Sequence, residues 1–125
     1  MGLKLKTEDV AKTGQRRLKG GKWGDRQIVS ARWISQMSMK QVASAPAGIN
    51  ATQLDKETAD PDWIQGYGYQ DWMCRHNAYR ADGARGQFII VMPDQNAVVA
   101  MTADTPRMQD ELNLVWKYVL PVLDK

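Results

Sequence analysis

The stretch of this chain with the best types and spacing for chemistry is ADGARG, residues 81–86. Its two glycines, Gly83 and Gly86, stand three residues apart directly before a continuous apolar run. Glycines in that position mark a place where the backbone must bend or come close to another group. Asp82 adds a carboxylate to the same stretch. We therefore expect any functional site to lie here.

Cys74 and His76 are the other candidates, since they are the single cysteine and the single histidine. Residues i and i+2 of a strand share a face, so contact between the two side chains is conceivable. No third group that could orient a catalytic pair is evident, which favours Cys74 as a small buried apolar residue. One cysteine allows no internal disulfide, and this pair alone cannot form a structural zinc site. We predict no metal and no cofactor.

The elements that would position residues 81–86 are three short strands. Residues 66–75 alternate in a strand-like pattern, and residues 87–92, QFIIVM, suit a strand buried on both faces. Residues 93–96, PDQN, are typical of a turn, and residues 97–102 return as the second strand of a hairpin. The sequence therefore predicts an antiparallel sheet of about three strands with flanking helices, in the α+β class.

Helices are predicted on both sides of this sheet in the sequence. Thr7 caps a first helix that runs to about Lys19, and Ser30 caps a second over residues 31–41, with Trp33 among its inward-facing residues. Thr105 caps a final helix that should lie across the hairpin. Residues 43–62 form a polar loop whose length is unusual inside a compact domain.

Composition limits the classes of function. The chain has 125 residues, 43% of them hydrophobic and 25% charged, with a net charge of +3, which indicates one globular domain or part of one. No basic stripe interleaved with aromatic residues is visible, so we expect no nucleic-acid partner. No apolar stretch approaches a membrane span and no signal peptide opens the chain, while the compartment stays unknown.

Several stretches, taken in order, resemble one family. They are GLKLKTEDVAKTGQ, GGKW, QIVSARWI, GYGYQDW and ADGARGQFIIVMPDQNAVVAMTAD. Together they look like the C-terminal part of the serine β-lactamase-related hydrolases, which include class C β-lactamases, penicillin-binding proteins and related esterases and amide hydrolases. The resemblance covers residues 2–123. It implies a partial domain of the β-lactamase-like fold over residues 1–125, in a family whose members are often periplasmic or secreted.

The family's first two catalytic motifs are absent from this chain. No serine is followed three residues later by lysine, so S-x-x-K is missing, and there is no Tyr-x-Asn or Ser-x-Asn. A literal K-T-G stands at Lys12, Thr13 and Gly14, but it falls in a predicted helix, whereas the family's third motif lies on a strand. The resemblance therefore implies that no catalytic nucleophile is present in this chain.

The resemblance places the third motif at Ala81, Asp82 and Gly83. Gly83 matches the motif glycine, and Ala81 stands where the family often has lysine or histidine. The family's oxyanion donor, the backbone N–H after that glycine, would be that of Ala84. The missing cation at Ala81 puts recognition of a β-lactam carboxylate in doubt and fits the esterase or amide-hydrolase branches better.

Two functions follow as expectations. The first is the C-terminal segment of a serine β-lactamase-like hydrolase, inactive alone and paired with a missing N-terminal half. The alternative is a non-catalytic module on the same scaffold that binds a protein partner or associates with itself, most simply as a dimer. The sequence does not indicate the substrate.

Overall fold

The computed structural model describes residues 4–45, 47–48 and 60–125, and these residues form an α+β fold. A four-stranded antiparallel sheet stands at its centre, in the order β3-β4-β5-β6. Its strands are β3 (Trp72–Met73), β4 (Tyr79–Gly83), β5 (Gln87–Met92) and β6 (Ala97–Thr102). Each strand pairs with its neighbour in the sequence, because short turns join them in succession.

The sheet has four strands where the sequence predicts about three. Of the predicted strand over residues 66–75, only the two-residue β3 is present, and β4 is an additional strand that follows the next turn. The turn arises because His76 and Asn77 both take positive φ, 61° and 53°, as the two central residues of a type I′ turn require. The predicted hairpin of β5 and β6 is present with the predicted bounds.

Helices cover the two faces of this sheet. α1 (Thr7–Leu18) packs on β5 and β6. It approaches closely at Gly14, where an added Cβ would lie 2.7 Å from a methyl carbon of Ile89. The alternate residues of the same strands form the main core with the C-terminal helices. That core comprises Cys74, Ala78, Phe88, Ile90, Met92, Leu112, Val115, Trp116 and Leu120.

α1 begins at the predicted residue but without the predicted cap. Thr7 is its first helical residue, and the Thr7 hydroxyl shares a hydrogen bond of 2.9 Å with the hydroxyl of Thr102 on β6. Arg17, which interrupts the apolar face of this helix, donates to the fully buried carboxylate of Asp71 at 2.5 Å. An ion pair therefore occupies the place where an apolar contact is usual.

Between α1 and the sheet the chain forms a small hairpin and a short helix. β1 (Lys22–Trp23) pairs with β2 (Arg26–Gln27), and α2 (Ala31–Met37) follows. Ser30 caps α2 as predicted, since its hydroxyl accepts a hydrogen bond from the Trp33 N–H at 3.2 Å. The helix ends earlier than predicted, and the prediction that Trp33 faces inward is wrong, because its side chain is exposed and stacks on Tyr69.

The C-terminal helix starts later than the sequence predicts and is interrupted. α3 (Met108–Leu114) is followed by a π-helical turn (Val115–Val119) and α4 (Leu120–Leu123). Thr105 lies before the helix, where its hydroxyl accepts from the Arg107 N–H. The helix lies across the β5–β6 hairpin as predicted. Most of the predicted polar loop, residues 46 and 49–59, falls outside the described part of the chain.

Candidate functional site

The predicted site residues lie at the end of β4 and in the turn that follows. Ala81, Asp82 and Gly83 are the last three residues of the strand, and Ala84 opens the turn to β5. On one side they pair with β5, where Ala81 faces Ile89 and Gly83 faces Gln87. β3 covers only the first two residues of β4 on the other side. Among the described residues, therefore, no strand pairs with the outer edge of residues 81–83.

A cleft of about 430 Å³ opens over the ends of β4, β5 and β6, next to the start of α1. Three of the four predicted residues line it, and the fourth, Ala84, does not. The lining is mainly apolar and comprises Leu5, Val10, Ala81, Asp82, Gly83, Gln87, Phe88, Ile89, Met101 and Thr102. The cleft thus places apolar side chains next to residues 81–83, an arrangement that suits an acyl-bearing ligand.

The turn after β4 is fixed to the segment that leads into α3. The Thr105 N–H donates to the carbonyl of Arg85 at 3.0 Å, and the Gln87 side-chain amide donates to the carbonyl of Ala103 at 2.5 Å. Arg85 also forms an ion pair with Asp104. Both Arg85 and Gly86 take positive φ, 68° and 96°. The backbone of this turn is therefore held in one conformation, as a preorganised hydrogen-bond donor requires.

Asp82 is a partly buried ion-pair partner and not a solvated turn residue. Its side chain is 16% exposed, and its Oδ2 lies 3.2 Å from Nε of the fully buried Arg80. Burial raises the pKa of Asp82, and the Arg80 guanidinium offsets part of that rise. Asp82 and Arg80 stand two residues apart on one strand, so their side chains share the face that packs on the C-terminal helix.

Arg80 is an important residue that the sequence analysis missed. Its guanidinium stacks 4.4 Å above the ring of Trp63, and its Nη1 donates to the carbonyl of Asp62 at 2.8 Å. Aromatic rings and Asp82 stabilise this buried cation. The spacing Arg-x-Asp within a strand is a sequence signal for such a pair. Because Arg80 is fully buried and does not line the cleft, it does not replace the cation missing at Ala81.

In the structure, Cys74 and His76 both take part in the packing of the fold. Cys74 is 6% exposed, and burial raises the pKa of its thiol to about 12, so the thiolate nucleophile is scarce at neutral pH. Arg80 donates to its sulfur at 3.3 Å. His76 lies in the β3–β4 turn, where the centroid of its ring is 5.0 Å from the centroid of the Trp116 ring. The expectation that the two share a strand face does not hold, because the turn separates them.

The literal K-T-G sequence lies within α1, as predicted, and its glycine has a packing role. Gly14 is buried against Ile89 and Val98, where a side chain would force the helix away from the sheet. Residues 4–45, 47–48 and 60–125 contain no group of three or more histidine, cysteine, aspartate or glutamate side chains that could hold a metal ion. In the same ranges no helix has the length and apolar character needed to cross a membrane.

No model of a known protein family matches this chain, and no curated protein matches it either.

Proposed function

We propose that this chain is the C-terminal segment of a serine β-lactamase-like hydrolase that acts on esters or amides through a serine acyl-enzyme. The observation that carries the proposal is the placement of Ala81, Asp82 and Gly83. They lie on a strand with a free outer edge and line an adjoining apolar cleft. The ordered resemblance of the sequence to this family supports the same function.

In this proposal the chain supplies the third-motif strand and the oxyanion donor. The backbone N–H of Ala84 would bind the developing oxyanion, because a donor fixed by the backbone needs no reorganisation during the reaction. Ala81 offers no positive charge to a substrate carboxylate, which favours neutral esters and amides over anionic β-lactams. The nucleophilic serine and its lysine would come from the missing N-terminal half.

The first prediction is that the purified chain has no hydrolase activity by itself. The S-x-x-K nucleophile is absent, and an oxyanion donor without a nucleophile has no acyl transfer to assist. Hydrolysis of nitrocefin and of p-nitrophenyl esters should stay at the rate of buffer alone. Turnover that persists through purification, together with labelling of a serine by a fluorophosphonate probe, would refute the proposal.

The positive test supplies an N-terminal half that carries S-x-x-K and measures ester hydrolysis by the reconstituted protein. Gly83→Val should then lower kcat by about 10²–10³-fold, the usual cost of a lost oxyanion contact. A Cβ at this position would lie 3.2 Å from the Cβ of Gln87, so a small shift of the strand should accommodate it. Cys74→Ser and His76→Ala serve as controls and should leave kcat within about tenfold of the parent. Loss of activity in His76→Ala but not in Gly83→Val would place the site elsewhere.

A second candidate function is a non-catalytic module that associates with itself. Two observations favour it. β6 pairs only with β5 within the described part of the chain, so its other edge is open. The C-terminal helix also exposes Leu114, Tyr118 and Val122, spaced four residues apart. A symmetric dimer would cover such apolar surface, and its persistence when an N-terminal half is supplied would distinguish this function from the first.

A further inference from the structure

The indole of Trp23 is unlike those of the other four tryptophans. Trp33 stacks on Tyr69, Trp63 and Trp72 pack edge to face, and Trp116 contacts His76. Trp23 has no contact with another ring or with a cation among the described residues, and it is 46% exposed. It projects from the β1–β2 hairpin, which folds back beside α1. A large flat apolar ring is therefore left open to solvent.

Two clefts have this indole in their linings, and both carry positive charge. The first, about 400 Å³, is lined by Gln15, Lys19, Lys22, Trp23 and Gly24. The second, about 330 Å³, is lined by Lys12, Thr13, Arg16, Trp23 and Ile28. Neither lining includes an aspartate or a glutamate. We call these two clefts together with Trp23 the Trp23 surface.

The cations of α1 on this surface form a regular row. Lys12, Arg16 and Lys19 follow the spacing i, i+4, i+7, which places them on one side of the helix over about 10 Å. An extended single strand can place two or three successive phosphates along this row, because the spacing between phosphates is shorter than the row. Lys22 adds a further charge from the hairpin.

These cations are only partly engaged by the protein itself. Lys12 pairs with Asp9 at 2.7 Å, while Lys19 donates to the uncharged side chain of Asn96 at 3.2 Å. Nε of Arg16 is buried and has no hydrogen-bond acceptor among the described residues. Arg16, Lys19 and Lys22 form no ion pair with a carboxylate among the described residues. The surface therefore lacks anionic partners for most of its positive charge.

We propose that the Trp23 surface binds single-stranded nucleic acid, with one base stacked on Trp23 and the phosphates paired with the row of cations. A free indole between positive clefts is the combination that sequence-tolerant single-strand binding uses. An acidic peptide would engage the cations but has no general need for the flat ring. A membrane would need a wider apolar surface than Trp23 and Ile28 supply. This function is independent of the proposed hydrolase segment, and it differs from the expectation from sequence that no nucleic acid binds.

The sequence conceals this surface because its parts are separated along the chain. No aromatic residue stands between the basic residues of α1 in the sequence. Trp23 follows them only after Gly20 and Gly21. The positive φ of Gly20 and Gly21, 62° and 87°, reverses the chain and returns the hairpin to the helix. The interleaving of basic and aromatic side chains thus arises only in the folded protein.

The test is fluorescence anisotropy of a labelled 12-nucleotide oligo(dT) titrated with the full chain. At physiological salt we expect a Kd of about 10⁻⁴–10⁻⁶ M, typical of nonspecific nucleic-acid binding. With about three phosphates contacted, the logarithm of the association constant should fall with the logarithm of salt at a slope of about −2. Trp23→Ala should weaken binding at least about fivefold, the lower range for loss of one stacked base. Arg16→Glu with Lys19→Glu should abolish measurable binding.

Matched controls separate this surface from general charge and exposure. Trp33→Ala removes a tryptophan of similar exposure, 45%, that lines neither cleft, and Lys117→Glu reverses an exposed charge on the C-terminal helix. Both should leave the oligo(dT) affinity within about twofold in ~50 mM salt, where electrostatic contacts dominate. The proposal is overturned if Trp23→Ala binds like the parent. It is equally overturned if polyglutamate or phosphatidylserine vesicles compete as well as unlabelled oligo(dT) at equal charge.

Discussion

Glu111 is a single side chain whose burial lowers the stability of the folded protein. It lies on α3, is only 7% exposed, and neither of its carboxylate oxygens has a hydrogen-bond partner among the described residues. The carboxylate sits over Gly86 in the turn after β4, where even a Cβ would collide with it. Burial raises the pKa of Glu111 above its ordinary value. The folded protein therefore favours the neutral acid.

We predict that Glu111→Gln stabilises the protein at neutral pH. Because the folded pKa lies above the unfolded one, ionisation of Glu111 costs stability once the pH exceeds the unfolded value, and no such cost exists below it. The variant should gain about 1 kcal/mol at pH 7, the lower range for a buried unpaired polar group. Urea unfolding between pH 4 and pH 8 measures this, with the exposed Glu8→Gln as control. A gain that persists unchanged at the acid end would contradict the explanation.

Single residues were also where the sequence was least informative. The Asp82 and Gly83 positions followed from pattern and resemblance, but Arg17 looked only like an interruption of a helix face. Its partner, Asp71, is 54 residues away, and helical periodicity contains no information about such a contact. The orientation of Trp33 depended likewise on Tyr69, which belongs to a different segment. Contacts between residues far apart in the sequence determine where these side chains lie.

At the level of elements, one buried carboxylate fastens the segment before the sheet to the C-terminal helix. Asp62, in the 3₁₀ turn Pro61–Trp63, is fully buried. It accepts hydrogen bonds from the Arg75 backbone N–H at 2.8 Å, from the Gln109 amide at 2.7 Å and from the Trp116 indole at 2.9 Å. Burial alone would raise the pKa of Asp62, but these donors and the Arg75 guanidinium bring it below its usual value. The ionised carboxylate thus joins three elements.

Asp62→Ala should therefore destabilise the protein by about 3–5 kcal/mol, because it leaves a charged partner and two buried donors unpaired. Thermal unfolding followed by circular dichroism measures the loss. Asp60→Ala, two residues away and exposed, should change stability by less than about 0.5 kcal/mol. Since the folded pKa is depressed, the parent should also lose stability as the pH falls through that value, and Asp62→Ala should lack this step. If Asp62→Ala and Asp60→Ala were equally stable, the hydrogen bonds to the Asp62 carboxylate would not be needed for stability.

Elements with strong local signals were predictable, and elements with weak ones were not. α1, the Ser30 cap and the β5–β6 hairpin each follow from caps, periodicity or turn residues. β3 is only two residues long, and the turn after it uses His76 and Asn77 in place of glycine. The alternation of residues 66–75 therefore suggested one continuous strand. The π-helical turn within the last helix has no sequence signal that we recognise.

Within the described ranges, the molecule leaves apolar surface and a strand edge uncovered. Leu114, Tyr118 and Val122 face solvent on the C-terminal helix, and β6 forms the last strand of the sheet in the described ranges. Such surface favours association with another chain. In the isolated chain, a second copy is the partner available to cover this surface.

We predict that the isolated chain forms a dimer at micromolar concentration, measured by sedimentation velocity. Tyr118→Lys with Val122→Lys should shift the population to monomer, because charges on the contact surface would have to be desolvated. Lys117→Gln, on the same helix, is the control and should leave the distribution unchanged. A compact monomer with cooperative unfolding and low dye binding in the parent chain would exclude self-association.

The placement of the main core has a consequence for the order in which the protein folds. Every member of that core lies between Cys74 and Leu120, and the four strands pair in sequence order. α1 reaches the opposite face of the sheet from far along the chain, as the Thr7–Thr102 contact shows. Closing so long a loop costs more entropy than closing the hairpins, so α1 should dock last. Native-state hydrogen exchange should then show α1 amides opening at a lower free energy than those of β5, as a separate cooperative unit.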